Sequence, residues 1–387
     1  MTVFLSEHPA LRPGMALACL FAVSLAGCDS AVDEPLAPAA VAAPAVAAAK
    51  AKVTVFATGL RFPRGLTFGG GAVYVAEAGL GGNNSTTARE CRQASPPAGP
   101  YTNGPTARIS RIGPDGRRGI LASGFPSAAD AMGDFIGVAD VAFVGNQLYA
   151  LVAGGGCSHG SRSVPAGIAK VSSSGDWHIV ADLSAYLATH HVKNPPADFD
   201  PDGTWYSMLH VGNRLFAVEP NHGEVVRIVP GTGAVSRVVD VSATKGHNVP
   251  TALGQRLGNL YLANLGTFPV TPGQQKVFRL TRTGTLTLAK GGFNMVLGVD
   301  FDAKGRLYVL EMTHGAPFPT PGKGRVVRVN LDGSKQVLVD GLFFPTAMRF
   351  GPDDRLYISN KGFGPPQPGE ILRVDVPDVT PASLARD

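Results

Sequence analysis

Apolar and polar positions alternate in short runs from Lys52 to Val376, and the runs recur in a fixed order. One landmark is an aromatic or phenyl residue flanked by apolar ones. It occurs as Val73-Tyr74-Val75, Leu148-Tyr149-Ala150, Leu215-Phe216-Ala217, Leu260-Tyr261-Leu262, Leu307-Tyr308-Val309 and Leu356-Tyr357-Ile358. A turn carrying Gly or Asp precedes each landmark. Ahead of each turn lies another apolar strand, over residues 65–68, 138–143, 206–211, 249–253, 296–301 and 346–350. A third strand follows and ends in a basic and an aliphatic residue: Arg111-Ile112, Lys170-Val171, Arg227-Ile228, Arg279-Leu280, Arg328-Val329 and Arg373-Val374. A fourth covers 119–122, 177–181, 235–241, 286–289 and 336–339. Period-two runs of this length between turn residues read as strands, and a repeat near 50 residues reads as a radial array.

The sixth repeat lacks its fourth strand, because the chain runs into Pro377 and Pro381. The missing strand stands at the other end, over 53–57, followed by Thr58-Gly59-Leu60 as Val339 is followed by Asp340-Gly341-Leu342. The pattern therefore predicts an all-β chain: a six-bladed β-propeller with four antiparallel strands per blade. Its N-terminal strand completes the last blade, which removes the open sheet edge.

Strand direction alternates within a blade, so the connections divide between two faces. First-to-second and third-to-fourth turns are short: 69–72, 145–147, 212–214, 302–306, 351–355, 113–116 and 331–333. Most of the others are long: 79–106, 154–166, 183–204, 265–275, 312–323 and 361–369. One face is thus plain and the other decorated, and variable loops on a rigid scaffold are where binding and chemistry sit.

Three sets of candidate groups fall on the decorated side. Around the channel mouth, at the openings of the first strands, stand Arg64, Asp140, Tyr206, Thr251, Asp300 and Thr346. They differ from blade to blade, as ligand-binding groups do, but Arg64 and Asp140 equally suit an ion pair across adjacent blades. Three residues past each landmark aromatic comes a ring of Glu77, Val152, Glu219, Asn264, Glu311 and Asn360. Its polar members form either a cation-binding rim or a repeated structural bond, the latter with the third-strand basic residues as partners. Asp198, Asp200 and Asp202 before Gly203 begin a D-x-D-x-D-G calcium loop, but the twelfth position is Leu209, so a complete EF-hand is excluded. A truncated oxygen-ligand site and a polar Asp-Gly turn both remain open. His159, His190, His191, His222, His247 and His314 lie in decorated-face loops without metal spacing.

Composition narrows the class. Glycine (49) and proline (31) are abundant and only 16% of residues are charged, which suits short strands and tight turns. The net charge of +5 comes without a basic run or a basic-aromatic cluster, so nucleic acid is not an expected partner. There is no Ser/His/Asp signature, P-loop or dinucleotide fingerprint. Arg12 precedes an apolar run from Met15 to Leu25, too short for a span of roughly 20 residues. Residues 1–27 read as a signal peptide ending at Leu25-Ala26-Gly27-Cys28, which resembles a bacterial lipobox, with Cys28 lipidated. An ordinary signal peptide is the alternative. Residues 28–51, rich in Ala and Pro, read as a tether, 52–376 as the propeller and 377–387 as a tail. A monomer anchored in the cell envelope is expected, on the periplasmic side or cell surface. In that oxidising compartment Cys91 and Cys157, in loops of adjacent blades, form a disulfide by default, with free thiols the alternative.

Residues 62–68 (Phe-Pro-Arg-Gly-Leu-Thr-Phe) with Val73-Tyr74-Val75-Ala76-Glu77 resemble the opening of ScyD/ScyE family proteins. Asp140-Val141-Ala142-Phe143, Val249-Pro250-Thr251, Leu307-Tyr308-Val309-Leu310-Glu311 and Pro345-Thr346 continue the resemblance over nearly all of 52–376. Two departures stand out. Members carry two cysteines in the first long loop, where this chain has Cys91 alone, and 200–206 differs from their Asp-Ser-Asn-Pro-Tyr-like segment. The resemblance implies an NHL-like or SMP-30-like six-bladed propeller and implies no reaction.

Two kinds of function follow. One is a non-catalytic, membrane-anchored propeller that binds an unidentified small molecule, polysaccharide or protein on its long-loop face. The alternative is an enzyme: a calcium-dependent lactonase-like hydrolase or a quinone-dependent sugar dehydrogenase. The lactonases resemble this architecture and hold calcium with a Glu/Asn/Asn/Asp set at the first-strand openings, where this chain offers Arg, Asp, Tyr and Thr.

Overall fold

The computed structural model describes residues 51–315 and 317–377. The signal peptide, Cys28, nearly all of the tether and the tail beyond Pro377 lie outside these residues. Six antiparallel sheets form the blades of a β-propeller. Their first strands are Pro63–Gly69, Val138–Val144, Ser207–Val211, Pro250–Arg256, Val296–Phe301 and Ala347–Phe350. Each first strand packs against that of the next blade, and the sixth packs against the first, closing the ring.

The closing strand is Lys52–Leu60, paired with Gly369–Asp375 in a register that sets Lys52 opposite Asp375 and Leu60 opposite Gly369. Ala57 and Leu60 are buried with Leu66, Val73 and Val75 of blade one, so this strand also seals the boundary to the next blade.

The landmark pattern has a packing cause. Every landmark aromatic stands directly opposite the basic residue of the third strand: Tyr74 opposite Arg111, Tyr149 opposite Lys170, Phe216 opposite Arg227, Tyr261 opposite Arg279, Tyr308 opposite Arg328 and Tyr357 opposite Arg373. Tyr74, Tyr261, Tyr308 and Tyr357 then pack on Phe143, Phe301, Phe350 and Phe68, each at the far end of the next blade's first strand, with ring centroids 4.6–5.1 Å apart. The aromatic thus joins neighbouring blades, and its partner's aliphatic stem covers the other side.

Two departures from the predicted pattern matter for the decorated face. The third strand of blade one begins at Thr102, within the expected loop, and pairs with a long fourth strand, Arg118–Ala129; a short strand, Phe135–Ile136, adds a fifth. A register shift between Gly104 and Ala107 lets the ladder pass Pro105, which has no N–H to donate. Short helices, Leu183–Thr189 and Val241–Lys245, follow the fourth strands of blades two and three. Asp182 and Asp240 end those strands because their side chains cap the helices, accepting from the Ala185 and Ala243 amides.

Candidate functional site

Most of the residues that open the first strands tie one blade to the next. Asp140 Oδ2 of blade two accepts the Met208 amide of blade three at 2.7 Å. Ser207 Oγ accepts the Leu253 amide of blade four at 3.2 Å, and Thr251 Oγ1 donates to the Val296 carbonyl of blade five at 2.6 Å. Asp300 Oδ2 accepts the Phe350 amide of blade six at 2.8 Å, and Thr346 Oγ1 donates to the Pro63 carbonyl of blade one at 2.6 Å. Between blades one and two the contact is steric: a Cβ on Gly65 would lie 1.8 Å from Asp140 Oδ1. Thr251 and Thr346 are therefore structural ties, Asp140 is both a tie and a group lining the channel, and Asp300, the fifth residue of Val296–Phe301, ties its blades from the far end of the strand and not from the opening expected for it.

The channel itself is nearly full. All six blades line it, and the space left is about 20 Å³, room for about one water molecule. Arg349 of blade six is among its lining residues. Its Nη2 lies 3.8 Å from Asp140 Oδ2 and 3.5 Å from the Met208 carbonyl, on the opposite side of the ring. Burial pushes the Asp140 carboxyl up to about 6, against the opposing pull of Arg349 and the two amides it accepts. Burial raises Asp300 as well, again opposed by Arg349.

Arg64 and Tyr206 stand apart from the ties. Arg64 Nη2 meets Asp134 Oδ1 at 3.0 Å and the Phe135 carbonyl at 2.6 Å, and its guanidinium carbon lies 6.0 Å from the Tyr206 ring centroid. Its ion-pair partner is thus Asp134 in the extension of blade one, not Asp140. Tyr206 Oη donates to the Thr346 carbonyl at 2.8 Å, and burial, opposed by Arg64, pushes the phenol up to about 12. Tyr206 also packs on an apolar cluster of Val270, Met295, Leu297, Met312 and Phe344, joined by partly buried Phe318, Phe343 and Phe363. Asp130, four residues before Asp134, accepts the Met132 and Asp134 amides through Oδ1, at 2.9 and 2.7 Å. Burial raises the Asp130 carboxyl above its ordinary value, against the pull of the amides it accepts. Neither Asp130, Asp134 nor Arg349 carries a periodic signal, because each acts through a contact particular to one place in the ring.

The rim residues are buried and bonded to backbone. Glu77 accepts the Arg61 amide and pairs with Arg108 at 2.8 Å. Glu219 accepts the Thr204, Asn221 and His222 amides. Glu311 accepts the Asn294 amide and pairs with Arg325 at 2.5 Å. Asn264 bridges the Asn248 carbonyl and the Lys276 amide, and Asn360 accepts the Phe343 amide. The arginine partners of Glu77 and Glu311 stand three residues before the repeating basic position, whose own partner is the landmark aromatic; in blade three that place is taken by Glu224.

Between the loops of blades two and three lies a buried charged knot. His159 Nε2 meets Asp200 Oδ2 at 2.9 Å while Nδ1 lies 2.8 Å from the Gly155 carbonyl. Ser158 donates through Oγ to Asp202 Oδ2 at 2.6 Å. Burial opposes charge on His159, but Asp200, Asp202 and the Gly155 carbonyl outweigh it and raise the imidazolium to about 9. Asp200 is held below the usual carboxylate range: burial opposes this, and His159 overcomes it. Asp198 does not join them; it is exposed, 3.8 Å from His247 Nε2. The three aspartates do not converge, and among the described residues no group of three or more His, Cys, Asp or Glu is placed to hold a metal. Beside the knot Cys91 and Cys157 form a disulfide that joins the long loops of blades one and two.

No family model and no curated protein matches this sequence, so the ScyD/ScyE resemblance rests on its motifs alone. Solved structures do match. A protein titled glucose dehydrogenase aligns with a TM-score of 0.52 at 13% identity, over 84% of this chain and 100% of its own. Regucalcin from Agrobacterium tumefaciens strain C58, titled a calcium-binding protein, aligns with a TM-score of 0.51 at 13% identity, over 85% of this chain and 94% of its own. Identity at this level establishes the shared propeller fold and leaves activity to the site.

Proposed function

We propose that this chain is an envelope-anchored propeller that takes a small polyhydroxylated ligand, of the sugar or sugar-lactone class, at the decorated mouth above its filled channel. The observation that carries this reading is the position of Tyr206. It joins an aromatic and methionine cluster to Arg64, which Asp134 and the Phe135 carbonyl hold in place. A sugar ring offers the matching pair of surfaces, an apolar face and a hydroxyl edge. The lipobox-like Leu25-Ala26-Gly27-Cys28 supports anchoring.

A titration panel of neutral sugars, sugar acids and sugar lactones, read by calorimetry and thermal shift, tests this reading. Saturable binding that Tyr206→Ala abolishes and Arg117→Ala, on the plain face, preserves is the expected result. Binding insensitive to Tyr206 would refute it.

A second reading is enzymatic, and the neighbour titled glucose dehydrogenase leans toward it over a purely non-catalytic binder. In this chain it would rest on Asp130, a raised carboxyl beside the mouth and the residue best suited to general-base work. Hydrolysis of a sugar lactone that falls with Asp130→Asn would establish it. Calcium in the channel does not fit the residues present. Calcium takes about six to eight oxygen ligands, and Asp140 is the one carboxylate among the residues that line the channel. Arg349 supplies the positive charge there. The quinone-dependent form needs a His and Arg site on the decorated face, and Arg64 at the mouth is paired with Asp134.

A further inference from the structure

In blades one and five the rim glutamate stands directly opposite an arginine: Glu77 opposite Arg108 and Glu311 opposite Arg325. Blade three sets Glu219 opposite Glu224 instead. Both are fully buried, and residues directly opposite in an antiparallel pair hold their Cβ atoms about 5 Å apart. The Thr204, Asn221 and His222 amides take both oxygens of Glu219. Glu224 is served less completely. Its Oε2 accepts Arg237 Nε at 2.7 Å and the Tyr186 hydroxyl at 3.3 Å, while its Oε1 is buried with no partner. His222 is near enough to act on Glu224. Its Nε2 donates to the Asp200 carbonyl at 2.7 Å, so in the neutral ring the buried Nδ1 is an acceptor without a donor. One arginine thus serves two facing glutamates. Burial raises the Glu224 carboxyl above its ordinary value; Arg237 opposes the rise, Glu219 adds to it and His222 opposes it.

The cover over Glu224 belongs to the connection from blade two to blade three. Tyr186 stands on helix Leu183–Thr189 with the His190 ring stacked on it at 4.3 Å. Arg237, on which Asp240 also acts, donates to the His190 and His191 carbonyls as well as to Glu224. The stretch is fastened at both ends without Glu224: the Leu183 amide donates to the Ala166 carbonyl and the Lys193 amide to Asp240. We propose that Glu224 is a proton-binding site that latches residues 184–192: a proton on it favours the closed cover, and loss of the proton favours a lifted cover that admits water. Covering a charged carboxylate opposite a second one costs more than covering a neutral acid, and linkage makes the preference reciprocal. Because closing raises the carboxyl, the latch is tightest at acidic pH and loosens as pH rises through the folded value. The same connection runs on to Tyr206, so the latch bears on the mouth; that consequence alone rests on the ligand reading above.

The test is hydrogen exchange of the ligand-free protein at about pH 5 and about pH 8, corrected for the intrinsic exchange rate. Residues 184–192 should exchange several-fold faster at the higher pH. The blade-four connection, 265–275, contains no titratable side chain and should show no such difference. Glu224→Gln, which keeps the shape and cannot ionise, should hold the slow rate at both pH values. A wild type in which 184–192 changes no more than 265–275 overturns the inference, and this arm decides even where Glu224→Gln does not fold. A Glu224→Gln protein that keeps the wild-type pH dependence overturns it as well, since the titration then belongs to His190 or His222. No ligand enters these measurements, so their failure leaves the sugar reading standing, and a failed sugar titration leaves the latch standing.

Discussion

Asp140 of blade two accepts the backbone amide of Met208 in blade three at 2.7 Å, across the boundary between their first strands. The amide is buried, so Asp140→Ala leaves it without a partner and should cost about 1–3 kcal/mol. Gly65→Ala should be worse, because its new methyl would lie 1.8 Å from the same carboxylate, next to fixed backbone. Urea unfolding of both variants checks this, and a Gly65→Ala protein of wild-type stability would show that the two first strands do not approach so closely.

The His159–Asp200 pair should make stability fall on the alkaline side. The folded-state pKa of His159, about 9, lies above the ordinary 6.5, so its contribution is complete below about pH 6.5 and is lost as pH rises through 9. The full effect is on the order of 3 kcal/mol. Asp200 is shifted the other way, and its share is present above its ordinary pKa and lost as pH falls through the lower folded value. Melting curves from pH 6 to 10 should show an alkaline decline that His159→Asn flattens.

Glu77 is fully buried against Arg108, the Arg61 amide and the Ser110 hydroxyl. Glu77→Ala strands the arginine in the interior and should destabilise by about 3–5 kcal/mol. Glu77→Gln keeps the shape and one acceptor and should lose less. If Glu77 instead held a cation for function, Glu77→Gln would leave the melting temperature alone and abolish ligand binding.

Reducing the Cys91–Cys157 bond, or replacing both cysteines with alanine, frees two long loops whose attachment points are 66 residues apart. A loss of about 2–4 kcal/mol follows from the larger entropy of the unfolded chain. A reductant titration followed by calorimetry measures it, and intact mass confirms that the unreduced protein has no alkylatable pair.

The frame of the molecule was legible because it repeats. The landmark aromatics, the basic third-strand ends and the displaced strand at 53–57 each recur with a phase, and the structure sets Tyr74 opposite Arg111 and Lys52 opposite Asp375 accordingly. The site was less legible because its contacts occur once. By adjacency Arg64 and Asp140 suit a ligand and each other equally, whereas the extra length of blade one brings Asp134 to Arg64. Arg349 looked like an ordinary strand residue, and only the ring shows that its side chain crosses the axis. The Asp198–Asp202 spacing suggested one site, but adjacent turns send Asp200 inward to His159 and leave Asp198 in solvent.

Hydrogen-exchange mass spectrometry with the tightest-binding sugar from the panel most directly tests the claim that function lies at the decorated mouth. Protection should concentrate at residues 130–136, 203–206, 265–274 and 361–368, and should vanish in Tyr206→Ala. Protection at the plain-face turns 113–116, 212–214 and 331–333 instead would contradict it.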